Sequence, residues 1–308
     1  MFAIVVGFTL TATRPVSAEL SGGQSGALNR VSVGTHVLGF GNAVTSLTND
    51  PATILINPSG AALMRNGKLV VSHTRLPLDR TVGVVGFGRQ IDQRAGFAVT
   101  WVNGHVDGVT RYDANGIPTG TIGNSENALT MAFGTSVQHV VFGVATKWYR
   151  LELDNRSSTS WSMSIGAMYE PVVGLRFGAS VRDVGGDLRW FTERAEGQLQ
   201  VNDPFPKTFS AGASYTYQPF GLTGAVSYEN VDDEGSYAHL GVSWQVVRQL
   251  TVRAGYRWLN LQDSVHDPAL SGGVTLSTGS GGNRVNIDYG VTDDLFGLVH
   301  SIGFRFDL

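Results

Sequence analysis

An all-β fold, an antiparallel transmembrane barrel of about fourteen strands with an N-terminal plug in its lumen, is what the sequence predicts, and three observations predict it. Glycine is abundant at 40 of 308 residues, and aromatics make up 10%. From Lys68 onward, segments of roughly ten residues alternate apolar with small or polar side chains, the pattern of a wall with lipid on one side and a lumen on the other. The last segment alternates Phe304, Phe306 and Leu308 with Gly303, Arg305 and Asp307 and runs to the chain end. A terminal strand of that kind resembles the assembly signal of bacterial outer-membrane proteins.

Residues 2–12 are apolar but too short to span a bilayer as a helix. Val16-Ser17-Ala18 follows as a small-x-small cleavage site, so residues 1–18 are read as an export signal, although no Lys or Arg precedes the apolar run. No later window is apolar for about twenty residues, so no transmembrane helix is expected. Residues 19–67 hold much Gly, Asn and Pro with weak periodicity and are assigned to a hatch; residues 68–308 form the barrel.

The strands are placed at 68–75, 80–89, 93–103, 126–137, 140–151, 160–169, 174–183, 206–217, 220–230, 236–246, 250–260, 269–278, 283–290 and 298–307. In the segment at 94–103, Phe97, Val99 and Trp101 oppose Gly96, Ala98 and Thr100. Further on, Leu250, Val252, Ala254, Tyr256 and Trp258 oppose Thr251, Arg253, Gly255 and Arg257. Charges fall on the small-residue face. A lipid-facing Arg or Lys near the midplane costs roughly 2–4 kcal/mol, so that face is the lumen. Connections after odd strands read as long, including Gly104–Ser125 and Asp183–Phe205, and those after even strands as tight, such as Gln138-His139. Both termini then lie on the periplasmic side, and the expected location is the bacterial outer membrane.

The composition excludes several chemistries. There is no cysteine, hence no disulfide, thiolate metal site or cysteine nucleophile. A net charge of -3 argues against nucleic acid. Gly39-Phe40-Gly41 and the glycines of 83–88 fit neither a Rossmann fingerprint nor a P-loop. The seven histidines have no metal-ligand spacing, and Gly-x-Ser-x-Gly is absent. His239 and Ser243 share a lumen face without anything else to mark a hydrolase. No enzyme activity, metal or cofactor is expected. Asp232-Asp233-Glu234 and Asp293-Asp294 read as solvated outer loops, and Asn155-Arg156-Ser157 as an incidental sequon.

Six cations point into the lumen: Lys147, Arg176, Arg182, Arg253, Arg257 and Arg305. They make either an anion-attracting interior or the partners of buried carboxylates such as Asp307; a plugged lumen favours the second. Asp50-Pro51 and Asn57-Pro58 are turn formers whose side chains cap short helices, and Asn57-Pro58 is placed to open one over Ser59–Met64.

Residues 34–63 carry a resemblance. Gly34-Thr35-His36-Val37-Leu38-Gly39-Phe40-Gly41-Asn42-Ala43-Val44, then Asn49-Asp50-Pro51-Ala52, then Asn57-Pro58-Ser59-Gly60-Ala61-Ala62-Leu63 resemble the N-terminal signature of the PorV/PorQ family, relatives of the FadL long-chain fatty-acid transporters. The match departs from that pattern at Asn42, Asn49, Ser59 and the extra Ala before Leu63. Downstream, Tyr112–Gly116, Leu175–Gly186, Pro206 with Gly212, and Tyr289-Gly290 to Phe306 also fit, so the likeness spans nearly the whole mature chain. It implies a hatch motif at Gly39, Gly41, Asp50, Pro51, Asn57, Pro58 and Gly60. It also implies a role in type IX protein secretion, with secretion components and cargo proteins as partners at the long loops. The FadL side of the likeness implies instead transport of hydrophobic small molecules, with an apolar pocket near the hatch and a lateral gap in the wall.

Overall fold

The computed structural model describes residues 34–308 apart from 49, 155, 195–196, 233–234, 259–268, 281–282 and 295; the export signal expected at 1–18 and the start of the expected hatch lie outside them. The first strands are β1 (Lys68–Leu76), β2 (Arg80–Gln90), β3 (Ala95–Tyr112), β4 (Pro118–Val137), β5 (Val140–Leu153), β6 (Arg156–Val172) and β7 (Leu175–Val184). A hairpin of β8 (Asp187–Arg194) and β9 (Gly197–Pro204) follows. The rest are β10 (Thr208–Tyr217), β11 (Leu222–Val231), β12 (Gly235–Val247), β13 (Leu250–Trp258), β14 (Ala269–Ser280), β15 (Asn283–Asp294) and β16 (Gly297–Asp307). Every strand except β8 and β9 joins one closed barrel of fourteen, sealed where β1 pairs with β16, Lys68 opposite Asp307 and Val71 opposite Phe304.

Alternation decides which side faces where. On β1, Val70, Ser72, Thr74 and Leu76 are buried while Val71, His73 and Arg75 are exposed. The exposed faces carry large apolar groups, among them Trp101, Phe133, Phe142, Trp161 and Trp244, each roughly half accessible. Such a continuous apolar exterior suits lipid and is rare on a soluble monomer.

Two expected loops are strand. β3 and β4 continue past Gly104 and Ser125 as a long hairpin, pairing Gly104 with Glu126 and Val109 with Ile122 around a bulge at Val106/Val109. Its tip is an Asx turn: Asp113 Oδ1 accepts from the Asn115 and Ile117 amides at 2.8 and 2.9 Å, and Gly116 takes φ +77°. The expected loop over Asp183–Phe205 contains the β8–β9 hairpin. Nor does loop length separate the two ends as expected. The turn at 77–79 is only one residue longer than that at 138–139; the ends differ because β3, β4, β5 and β6 run on past the wall at one of them. At the opposite end, the turn into β3 is held by Asp92, whose Oδ1 accepts from the Arg94 and Ala95 amides at 2.7 Å each, which keeps this carboxyl below the usual carboxylate range.

Residues 34–64, apart from 49, run inside the barrel before β1. Helix α1 (Thr35–Gly39) lies against β14, β15 and β16; two 3-10 turns, Pro51–Leu55 and Pro58–Leu63, lie against β2 to β6. Both turns start as their sequences dictate. Asp50 accepts from the Ala52 amide and Asn57 from the Ser59 amide, with Pro next in each.

Candidate functional site: a plugged lumen

The inner segment meets the wall backbone to backbone. A Cβ at Gly143 would run into Ser59, at Gly178 into Thr45, at Gly241 into Phe40 and at Gly255 into Gly41. Gly39 faces Gly273, where an added Cβ would sit 3.0 Å from Gly273 Cα. Wall glycines fall on most strands of the barrel, so the plug sits in a belt of positions that have no side chain. Of the expected hatch residues, Gly39 and Gly41 touch this belt and Pro58 abuts Gly143 and Gly166, while Pro51 abuts Gly86. Gly60 faces Thr48 inside the plug instead.

Asn57 ties the plug to the wall. It is fully buried, and its Nδ2 donates to Thr45 O at 2.8 Å, Ala167 O at 3.3 Å and Ala179 O at 3.5 Å. Its Oδ1 accepts from the Ser59 hydroxyl at 2.7 Å. Neighbouring ties run the other way: Ser180 Oγ donates to Ile56 O at 2.7 Å, Thr100 Oγ1 to Pro51 O at 2.8 Å and Gln90 Nε2 to Ala62 O at 2.7 Å. His239 Nδ1 lies 3.0 Å from Gly41 O, which assigns the proton to Nδ1.

The lumen cations fall into separate groups. Arg305 donates to Asp288 at 2.6 and 3.0 Å, lies 3.8 Å from Asp50 of the plug, and shares Asp288 with Arg253 at 3.5 Å; Thr275 also donates to Asp288. Lys147 pairs with Asp183 at 2.7 Å, joined by Ser162 at 2.9 Å. Arg182 pairs with Glu229 at 2.7 Å and reaches Leu55 O of the plug at 3.4 Å. Arg176 pairs with Glu170 at 2.7 Å. Arg257 lies opposite His239 in the ladder and is half-buried. Asp307, expected as a partner of these cations, pairs instead with Lys68 at 2.7 Å, because the β1–β16 register sets those two side by side. The partners Asp183, Glu229 and Asp288 were missed from sequence. Asp288 was nevertheless within reach: it alternates in phase with Asn286 and Gly290 on the inner face.

A second inward element was also missed. The base of the β8–β9 hairpin docks on a stripe of serines on the lumen face of β6. Ser158 Oγ donates to Arg189 O at 3.0 Å and accepts from Arg189 N at 2.9 Å, and Ser160 Oγ accepts from Asp187 N at 2.9 Å. Ser158, Ser160, Ser162 and Ser164 share the buried face while Trp161, Met163 and Ile165 point out. The hairpin brings Leu188 and, just beyond it, Phe205 into one apolar cluster with Leu38 and Ala52 of the plug, Val82, Val84 and Val102 of the wall, and Tyr149, whose ring meets Phe205 edge-on at 5.0 Å.

On the outer face, a hollow of about 520 Å³ lies over β4 to β7 and β10, floored by Ala167 and Ala179 and rimmed by Phe133, Phe142, Ile165 and Phe209. Asn57 sits directly behind that floor. The expected lateral gap is not open in this conformation: Ala167 pairs with Ala179 and the barrel is closed, with ladder irregularities at Met163/Ile165 and Tyr169/Val172.

With plug, lumen and wall in view, the comparison with solved structures is decisive for the fold. The fold is that of the FadL-type barrels. The chain superposes on the CymD monoaromatic hydrocarbon channel with TM-score 0.68 at 12% identity, covering 90% of this chain and 98% of that one. It matches the Ralstonia pickettii toluene transporter TbuX at 0.63 and 13%, covering 89% and 98%. A Pseudomonas aeruginosa FadL homologue matches at 0.64 and 12%, covering 89% and 98%. No protein-family model and no curated protein matches the sequence.

Proposed function

We propose that this protein is an outer-membrane channel that admits apolar small molecules. The observation that carries the reading is the apolar cluster enclosed between the plug, the wall and the base of the β8–β9 hairpin. A channel for hydrophilic solutes keeps its lumen polar, whereas Leu188, Phe205, Val84 and Val102 give an apolar solute a place to replace side-chain contacts with its own. The likeness in fold to a monoaromatic hydrocarbon channel and a toluene transporter supports it. Because the plug is bonded around the wall, the route in this reading leaves the lumen sideways, past Asn57, at the small-residue seam of Ala167 and Ala179 and into the apolar hollow outside. Purified protein in liposomes should speed entry of a toluene-like fluorescent probe, and Leu188→Asp should abolish the gain while leaving the barrel folded by circular dichroism. Equal entry with and without protein would sink the reading.

The secretion role rests on the signature at 34–63. It needs outer surfaces to receive cargo, and the protruding β3–β4 hairpin is the surface to test first. Recovery of secretion components or cargo with the protein extracted in mild detergent would favour that role; recovery of bound apolar small molecules alone would favour the channel.

A further inference from the structure

The end of the barrel that carries the chain terminus has a polar cleft of about 160 Å³ at the closing seam, lined by Pro51 of the plug and by residues of β1, β15 and β16. Register brings its polar lining together. Lys68, Asp307 and Arg284 form one inward cross-strand row, and Val70, Arg305, Asn286 and Ser277 form the next.

Charge in the cleft does not balance. Lys68 is answered by Asp307 at 2.7 Å and Arg305 by Asp288 at 2.6 Å. Arg284 is exposed and, among the described residues, makes no ion pair and no hydrogen bond. Asn286 is a second donor without an acceptor. It is only 8% exposed; its Oδ1 accepts from Ser277 Oγ at 2.7 Å, while no described residue accepts from its Nδ2. Nearly all buried amide donors in folded proteins have a partner. Asp288 and Asp50 contact Arg305 but do not line the cleft, and its one carboxylate, Asp307, is already engaged by Lys68. The lining therefore offers spare donors and one spare positive charge.

We propose that this cleft binds one small oxyanion of the phosphate type, between Arg284, Asn286 Nδ2 and Lys68 Nζ. The donors stand on both sides of β16, so an anion between them needs several acceptor oxygens, as a phosphate has. A water takes about 30 Å³ of liquid, so the space suits about five heavy atoms rather than a nucleotide. The phosphate can be free or the head of a phospholipid; the chemistry of the cleft is the same for both. The inference is independent of what the lumen carries.

The test is the phosphorus NMR line of inorganic phosphate titrated with the full chain in a non-ionic detergent, with ionic strength held by sodium chloride. Wild type should broaden the line. Arg284→Gln should weaken the affinity about tenfold, the effect of losing one hydrogen bond to a charged group. Asn286→Asp should abolish binding: its carboxylate still accepts from Ser277 Oγ but sets a like charge against the phosphate. Arg94→Gln, exposed on the β2–β3 turn at the same end, should change nothing. Added phosphatidylglycerol separates the sources. Release of the phosphate assigns the cleft to a headgroup and undiminished binding assigns it to the free anion, each in support of the site. No broadening by wild type, equal affinity of wild type and Arg284→Gln, or an equal loss with Arg94→Gln overturns the proposal, as does full broadening by Asn286→Asp. Arg284 is exposed, so its variant keeps the test decisive should Asn286→Asp fail to fold.

Discussion

At the scale of single residues, Asn57 does the most with the least. One amide supplies a cap to its own 3-10 turn, a bond within the plug and two bonds to carbonyls of opposing barrel strands. Removing one partner of a buried bond costs more than the bond itself contributes, because the carbonyls left behind stay dry. Asn57→Ala should therefore lower stability by about 2–3 kcal/mol, seen as a lower thermal midpoint in detergent. Asn57→Asp should be no better, since a carboxylate accepts but cannot donate to Ala167 O and Ala179 O. If Asn57→Ala melts with wild type, the tie is not structural. The wall glycines make a second residue-scale prediction. Gly143→Val puts a branched side chain where Ser59 of the plug already lies, and should yield a barrel whose plug is open to protease, whereas Gly224→Val, which meets nothing within 4 Å, should not.

Elements were legible to the extent that their pattern is local. Alternation with charges on the small-residue face is set within each strand, and it located the fourteen wall strands, although β3 runs on to Tyr112 and β4 begins at Pro118, well beyond the expected ends at 103 and 126. Capping chemistry is equally local, as Asn57-Pro58 and Asp50-Pro51 show. The β8–β9 hairpin escaped because its partner lies far away in sequence: it is held by side chains of the β6 serines, and the Gly185-Gly186 entry to it reads as loop. The serine row 158–164 was a usable signal, since four hydroxyls on one lumen face must find partners. The ion pairs escaped for a similar reason, because Asp183, Glu229 and Asp288 each meet a cation of another strand. Deleting 187–204 should leave the barrel folded by circular dichroism and expose Tyr149 to a water-soluble fluorescence quencher. Unchanged quenching would show that the hairpin does not cover that cluster.

At the scale of the whole molecule, the plug and the wall form one packed body. A straight path through the lumen would require breaking bonds to β2, β3, β6 and β7 together, which makes a resting plug the expected state during transport. The chain has no native cysteine to confuse a cross-link. Thr35 and Gly303 are placed for one: a Cβ at Gly303 would lie 3.2 Å from that of Thr35, a few tenths short of the usual disulfide spacing of about 3.8 Å. The Thr35→Cys/Gly303→Cys protein, oxidised, should keep its uptake of apolar probe. Loss of uptake on oxidation and recovery on reduction would mean that the plug leaves.

The belt of glycines also bears on how the molecule is made. The plug leads into β1, and β1 finds its second neighbour only in β16, which follows every other barrel strand in chain order. A ring already closed would present a finished collar, matched in shape to a plug still outside it. The plug is better laid down as a mandrel around which the sheet curls, with the final strand fastening the seam once the filling is in place. A chain cut short before β16 would then fail twice, leaving an unpaired edge on β1 and a plug with nothing to hold it.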